Sequence, residues 1–354
     1  MNNEPRRLHR FPRLDVSPAL KGIPRFDPAN VKTNTMLIED FIIEGSTHVS
    51  YGSFGTRKTS IHLLAGWCIS QGIEFMGRKS KRRMVLYLDY ENPQGVLRAY
   101  CEDLKLDPTD PWFTLWDRRD TPPPQPSESE DDPIEKYIRR CKKVTGHGPH
   151  IVFDSFTSLL RAGESGNDLN HAAPIYRNVR RYCDMGATCV IIDHTGKKKG
   201  KEAIGSSAKM TQMDAAHYFS AQSHALGLNA RSSHTIIRVE GFLKRYAPKD
   251  VGTFSIEVKA ALNDKGVWHT TSVAPTKDIA ELKLEQQIET LKGLIRKHGS
   301  RGQEEVVAKA MELPKGQKIP RADARRLLQE GIGTYWETRR AGTKRLIFRV
   351  IGDK

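Results

Sequence analysis

No apolar run in this chain approaches the ~20 residues that a membrane-spanning helix needs. The opening residues, Met1-Asn2-Asn3-Glu4-Pro5-Arg6-Arg7, carry no apolar signal core. These two absences argue against a membrane partner and lead us to expect a cytoplasmic protein. Cysteine is sparse as well: Cys68, Cys101, Cys141, Cys183 and Cys189 are scattered among 354 residues. They lack the short pairs of a zinc site and the density of a disulfide scaffold, so they read as reduced packing residues. Acidic charge falls well short of basic, leaving a net charge of +15. That balance suggests a polyanionic partner without choosing among nucleic acid, lipid and solubility.

The basic excess is unevenly placed. Residues 281–354 hold 17 Lys and Arg against 10 Asp and Glu, nearly half the surplus in about a fifth of the chain. Arg6, Arg7, Arg10 and Arg13 form a second patch inside a Pro-rich arm spanning 1–35. Between these ends lie short continuous apolar runs, Met84 to Leu88, His150 to Phe153 and Thr188 to Ile192, suited to strands buried on both faces. Helix-like stretches at Gln94 to Leu104 and Ala173 to Met185 separate them, and the alternation predicts a parallel sheet with helices on its faces. Thr121 to Pro133, Pro-rich and then acidic, reads as a surface loop.

Beyond Lys277 the pattern changes. Leu284, Ile288, Leu291 and Ile295 fall at helical spacing; Gln303 to Leu313 is a second helix; Pro320, at a first helical position, opens a third to Gln329. Thr334 to Thr338 and Arg345 to Val350 flank a basic tip, Arg339 to Lys344, and together these outline a winged helix over 281–354. Arg321, Arg325, Arg326, Arg339, Arg340, Lys344 and Arg345 suit duplex contacts, although winged helices also bind proteins.

The most specific signal is Gly52-Ser53-Phe54-Gly55-Thr56-Arg57-Lys58-Thr59, followed by Ser60: the phosphate-cradling pattern G-x-x-x-x-G-K-[ST], with Arg57 where the last glycine belongs. A β-prone run, Thr47 to Tyr51, precedes it and a helix-like run follows, which is the setting the motif requires. Gly52 and Gly55 would permit torsions closed to other residues, turning N–H groups toward phosphate at the positive end of the helix. Lys58 would reach the β- and γ-phosphates of ATP, and the Thr59 hydroxyl would hold Mg²⁺. Arg57 would either crowd the phosphates or add charge beside them. Asp154, ending an apolar strand, is the candidate second metal residue. Glu91 follows another strand in Asp89-Tyr90-Glu91-Asn92 and is the candidate for orienting and deprotonating water, with Asp89 as its rival. His194, at a third strand end, is a candidate phosphate sensor, and Lys197, Lys198, Lys199 and Lys201 follow it in a glycine-containing basic loop fit to track a nucleic-acid backbone.

These motifs, together with Phe75-Met76-Gly77, Asp193-His194-Thr195-Gly196-Lys197 and Gly205-Ser206-Ser207-Ala208-Lys209, resemble the RecA-like ATPases of the plasmid RepA type, hexameric replicative helicases, over about 36 to 260. The resemblance implies a doubly wound α/β ATPase domain over 36–275 and a homohexameric ring that threads single-stranded DNA. In that ring Lys58 and Thr59 bind ATP and Mg²⁺, Asp154 completes the metal site, Glu91 activates water and His194 senses the γ-phosphate. It also implies a basic finger given to the neighbouring subunit, for which Lys244 and Arg245 are the candidates. Two departures, Arg57 and Asp193 (where the family commonly has the first histidine of a pair), bear on the rate of hydrolysis more than on binding. Two other readings stand beside this one: an ATP-switched DNA-binding regulator or recombination mediator, and a catalytically weak nucleotide-binding scaffold.

Overall fold

The computed structural model describes residues 35–119, 121–129, 131–166, 168–195, 212–226, 232–243, 252–262, 268–298, 302–314, 317–341 and 345–352. The basic arm, the basic loop with Lys197, Lys198, Lys199 and Lys201, the pair Lys244 and Arg245, and Lys344 lie outside these residues.

A small antiparallel pair, β1 (Met36–Ile38) and β2 (Ile42–Ile43), leads into β3 (Thr47–Gly52). The main sheet continues with β4 (Val85–Asp89), β5 (Phe113–Trp116), β6 (His150–Asp154), β7 (Thr188–His194), β8 (Ala215–Leu226), β9 (Ser232–Leu243), β10 (Thr253–Leu262) and β11 (Trp268–Thr276). Its order is β11-β10-β9-β8-β3-β7-β6-β4-β5. From β5 across to β8 every neighbouring pair is parallel; β8 to β11 are antiparallel. The protein is thus mixed α/β around a large, mostly parallel sheet. Strands β4 and β6 are buried at every position, which is why they read as unbroken apolar runs rather than alternating ones.

Helices cover both faces. On one side α1 (Lys58–Gln71) and α2 (Gln94–Leu104) contribute Ile61, Leu63, Ile69 and Cys101 to a core shared with Phe41, Phe75 and the antiparallel strands' Ile237, Phe254 and Ile256. On the other, α3 (Pro133–Thr145), the short α4 (Phe156–Leu159) and α5 (Leu169–Asp184) pack Ile138, Phe156, Tyr176 and Val179 against Val49, Phe153 and Ile191. The doubly wound expectation therefore holds for the parallel half. The antiparallel strands β8 to β11 were not anticipated. Helix α5 begins at Leu169 rather than Ala173, because the Asp168 carboxylate accepts the Asn170 N–H and caps it one turn earlier, with Pro174 inside.

The C-terminal segment has α6 (Ile279–His298), α7 (Gln303–Glu312) and α8 (Arg321–Glu330), then the antiparallel hairpin β12 (Trp336–Ala341) and β13 (Arg345–Val350). Leu291, Ile295, Val306, Leu328, Trp336 and Phe348 form its own core. Pro320 is the cap of α8 rather than its first residue. Among the described residues no helix is long and apolar enough to cross a membrane.

Candidate active site

The chain leaves β3 at the point in the sheet where β7 lies on one side and β8 on the other, a crevice where doubly wound sheets bind ligands. Gly52 ends β3, residues 53–57 form the loop, and α1 starts at Lys58. The two glycines serve different purposes. Gly55 has φ +79 and uses glycine's torsional freedom. Gly52 does not, which corrects the expectation from sequence: a Cβ there would lie 2.3 Å from the backbone oxygen of Phe219 on β8, so glycine is required for strand approach. Gly52→Ala should therefore cost at least ~2 kcal/mol of stability, because backbone cannot move aside as a side chain can. Urea unfolding reads this, and an unchanged midpoint would refute it.

Arg57 takes φ 58 and ψ 24, the left-handed region. The motif expects glycine here for that reason, and an arginine stands in the same conformation. Thr56 donates from Oγ1 to Ser53 O at 2.8 Å, and Ser60 Oγ donates to Arg57 O at 3.0 Å, so both hydroxyls brace the loop. Lys58 is only 5% exposed. Its ammonium donates to Gly52 O at 2.9 Å, Ser53 O at 3.1 Å and Thr56 Oγ1 at 3.3 Å. Burial lowers its pKa to about 8, against the pull of Asp154, Asp193 and Glu91.

Strand β7 lies between β3 and β6, and β4 lies beyond β6, so the carboxyl ends of four strands converge. Asp154 ends β6, almost fully buried, and Tyr87 of β4 donates to its Oδ2 at 2.7 Å. Burial and the nearby Asp89 raise the Asp154 pKa to about 7, opposed by hydrogen bonds from Tyr87 and Thr59. A carboxyl buried beside the Thr59 hydroxyl is suited to a metal cation. The oxygen donors Thr59 and Asp154 fit a hard divalent ion that takes its remaining ligands from phosphate and water.

Asp89 and Glu91 are placed differently. Asp89 is fully buried and accepts from Glu91 N (3.0 Å), Asn92 N (2.7 Å) and Asn92 Nδ2 (2.7 Å), so it builds the turn. Glu91 faces the cavity, where Ser155 Oγ donates to its Oε2 at 2.6 Å and His194 Nε2 stands 3.7 Å away. His194 first, then Ser155, and more weakly Lys58, hold Glu91 down to about 2 despite partial burial. The His194 ring also stacks on Phe54, with centroids 4.1 Å apart, although Phe54 is 76% exposed.

Phe54, Gly55, Arg57, Lys58 and Thr59 thus share a cavity of about 440 Å³ with Glu91, Asp154 and His194. Asn92, Tyr100, Ile192 and Thr235 complete its wall, and none of them was a site candidate from the sequence. A larger cavity, about 940 Å³, lies beside α2 among Leu97, Cys101, Leu106 and Leu115, away from the loop. Three of the cations expected to meet duplex DNA are engaged in ion pairs. Arg321 and Arg325 of α8 pair with Glu304 of α7 at 3.2 and 2.8 Å, and Arg326 pairs with Glu330 at 2.8 Å. Arg339 and Arg340 are exposed on β12.

No curated protein matches the sequence. Among solved structures, the chain is similar to the KaiC-like protein PH0186 of the hyperthermophilic archaeon Pyrococcus horikoshii OT3, at 15% identity and a TM-score of 0.42, over 68% of this chain and 93% of that one. A family model described as AAA domain matches residues 24–200, half of the chain, and includes the phosphate loop, Glu91, Asp154 and His194. The chain belongs to the AAA domain family, as an ATP-binding protein of the P-loop class.

Proposed function

We propose that the chain is a ring-forming, ATP-dependent DNA helicase or translocase of the RepA type, acting in replication of a plasmid, phage or other mobile element. The observation that carries the reading is the meeting of Thr59, Asp154, Glu91 and His194, from separate elements, at one cavity beside the phosphate loop. Loop N–H groups and Lys58 bind the phosphates of ATP, while Thr59 and Asp154 would hold Mg²⁺. When bound, that ion neutralises charge on the β- and γ-phosphate oxygens. Glu91 orients the attacking water and takes its proton. The contacts that keep Glu91 ionised also make it a weak base, so turnover requires His194 to turn from Glu91 toward the γ-phosphate.

The C-terminal three helices and hairpin act as a winged helix on duplex DNA, and the lysines at 197–201 act on single strands in a hexameric ring. Measuring ATP hydrolysis with and without single-stranded DNA, and displacement of a strand from a forked duplex, tests the reading. Stimulated hydrolysis with displacement supports it. Stimulated hydrolysis without displacement moves the protein to the ATP-switched regulator, a reading that the restrained Glu91 also favours.

Glu304 bears on the winged-helix assignment. It pairs with both Arg321 and Arg325 in the free protein, so phosphate must displace it. Glu304→Gln is expected to raise duplex affinity about threefold to tenfold at low salt and to steepen the salt dependence, as two cations become available. Fluorescence anisotropy across a salt series measures both. Unchanged or weaker binding would show that α8 does not face DNA.

A further inference from the structure

Arg57 is the residue that departs from the phosphate-loop pattern, and its surroundings suggest a use for it. Its backbone holds a left-handed conformation, φ 58, that disfavours any side chain. Its side chain is half-buried and lines the cavity alongside Lys58 and Thr59 instead of reaching into solvent. There it shares the cavity wall with Tyr100 of α2, close enough for its charge to act on the phenol. No described carboxylate stands within ion-pair distance of Arg57.

The other basic side chain at the loop that lines the cavity is Lys58, whose ammonium is tied to two carbonyls and a hydroxyl of its own loop. A guanidinium kept beside a phenol, at the edge where Asp154 and Thr59 would hold a metal, presents a planar fork of N–H donors suited to phosphate oxygens. An exposed arginine would satisfy its donors with water. This one is half-buried, and among the described residues no carboxylate pairs with it.

We propose that Arg57 is a catalytic residue supplied in cis, whose guanidinium binds the terminal phosphates of ATP, and that Tyr100 is the positioning residue that holds it there. The inference rests on the ATPase reading above. Arg57 forms no covalent bond and transfers no proton. It offsets negative charge that builds on the phosphate oxygens as the bond to the ADP leaving group breaks and water adds. A site with its own arginine needs no basic residue from a neighbouring subunit to complete that charge balance.

The test uses the full-length protein with Arg57→Gln, Arg57→Lys, Arg57→Gly and Tyr100→Phe, and with Lys58→Ala as control. Steady-state hydrolysis, binding of ATP and ADP, and thermal midpoint are measured for each. Arg57→Gln is expected to lower kcat about a hundredfold, the modest side of what a transition-state arginine supplies in phosphoryl transfer. ADP affinity should change by less than about threefold, because the contact is to the charge that ATP alone develops. Arg57→Lys should recover part of the rate, since the charge but not the fork is restored. Tyr100→Phe should lower kcat more than it changes KM, and add nothing in the Arg57→Gln background; a merely structural tyrosine would lower the thermal midpoint and add independently.

Arg57→Gly removes the backbone strain, so its thermal midpoint should equal or exceed that of the wild type, and its loss of rate cannot then be assigned to unfolding. Wild-type rates in Arg57→Gln, or a faster Arg57→Gly, would overturn the proposal and make Arg57 neutral or an obstruction. A wild-type protein that neither binds nor hydrolyses ATP would instead bring down the ATPase reading, and the role of Arg57 with it. Normal wild-type turnover with a dead Lys58→Ala and an unaffected Arg57→Gln refutes the role of Arg57 alone.

Discussion

Lys58→Ala should lower kcat/KM for ATP by about a thousandfold, a loss of ~4 kcal/mol of transition-state stabilisation. The ammonium is nearly buried and is already aimed into the loop by Gly52 O, Ser53 O and Thr56 Oγ1, so phosphates entering that loop meet a preorganised charge. Among the described residues no other lysine lines the cavity to replace it. Glu91→Gln should differ in kind: nucleotide still binds, while turnover stops, because the amide can orient water but cannot take its proton. The pH dependence gives an independent check. Burial places the Lys58 pKa at about 8 in the nucleotide-free protein. ATP affinity should therefore be flat below that pH and fall about tenfold per unit above it, as binding must then recruit a proton. Isothermal titration from pH 7 to 9.5 measures the trend. Full turnover in Lys58→Ala would remove the loop from the mechanism.

The sequence showed the catalytic edge more clearly than the rest of the fold, for physical reasons. Strands β4 and β6 are buried on both faces, so each is an apolar run with a carboxylate at or just beyond its end, and each was legible. Helix α2 was found at its true bounds because Pro93 and the leucine spacing mark it. The antiparallel strands were hidden. Their inward positions include His217 on β8 and Thr235 on β9, which read as polar although they are buried. The burial of His217 is explained by His48, 169 residues earlier, whose Nδ1 lies 3.0 Å from its Nε2. Gly52 was recognised as part of the motif, but its reason lies in the backbone of Phe219 on a neighbouring strand. Tyr87 and Tyr100 carry no mark of a role in the sequence; only the fold brings their hydroxyls near Asp154 and Arg57. On α8 the arginines looked available to DNA, and their pairing with Glu304 depends on how α7 packs beside them.

Acid should unfold this protein at a pH where ordinary surface carboxylates are only beginning to take up protons. His48, His62, His150 and His217 are all fully buried. His48 and His217 share a single hydrogen bond between ring nitrogens, so one nitrogen must accept, and protonating both rings would set two donors face to face. His62 Nε2 meets only the Ser50 hydroxyl, at 2.8 Å. Burial depresses His48 to about 4 and both His62 and His150 to about 3, with His217 well below its usual value. The native state keeps these four neutral while the unfolded chain protonates them below about pH 6.5, so their contribution is fully present above that pH and is lost as pH falls toward the depressed values. Asp154 works the other way. Raised to about 7, it is protonated in the native state between its ordinary pKa and 7 while the unfolded chain is ionised, so acid favours the fold by one proton. The net uptake on unfolding is then about three protons, a loss of ~4 kcal/mol per pH unit between pH 6 and 4.5. Against a typical total of about 5–15 kcal/mol, unfolding is expected near pH 4 to 5. Urea midpoints at pH 7, 6 and 5 should fall steeply, and His150→Asn should flatten the slope by about one proton, ~1.4 kcal/mol per unit. Midpoints that stay level from pH 7 to 5 would mean that the four imidazoles accept protons inside the folded protein.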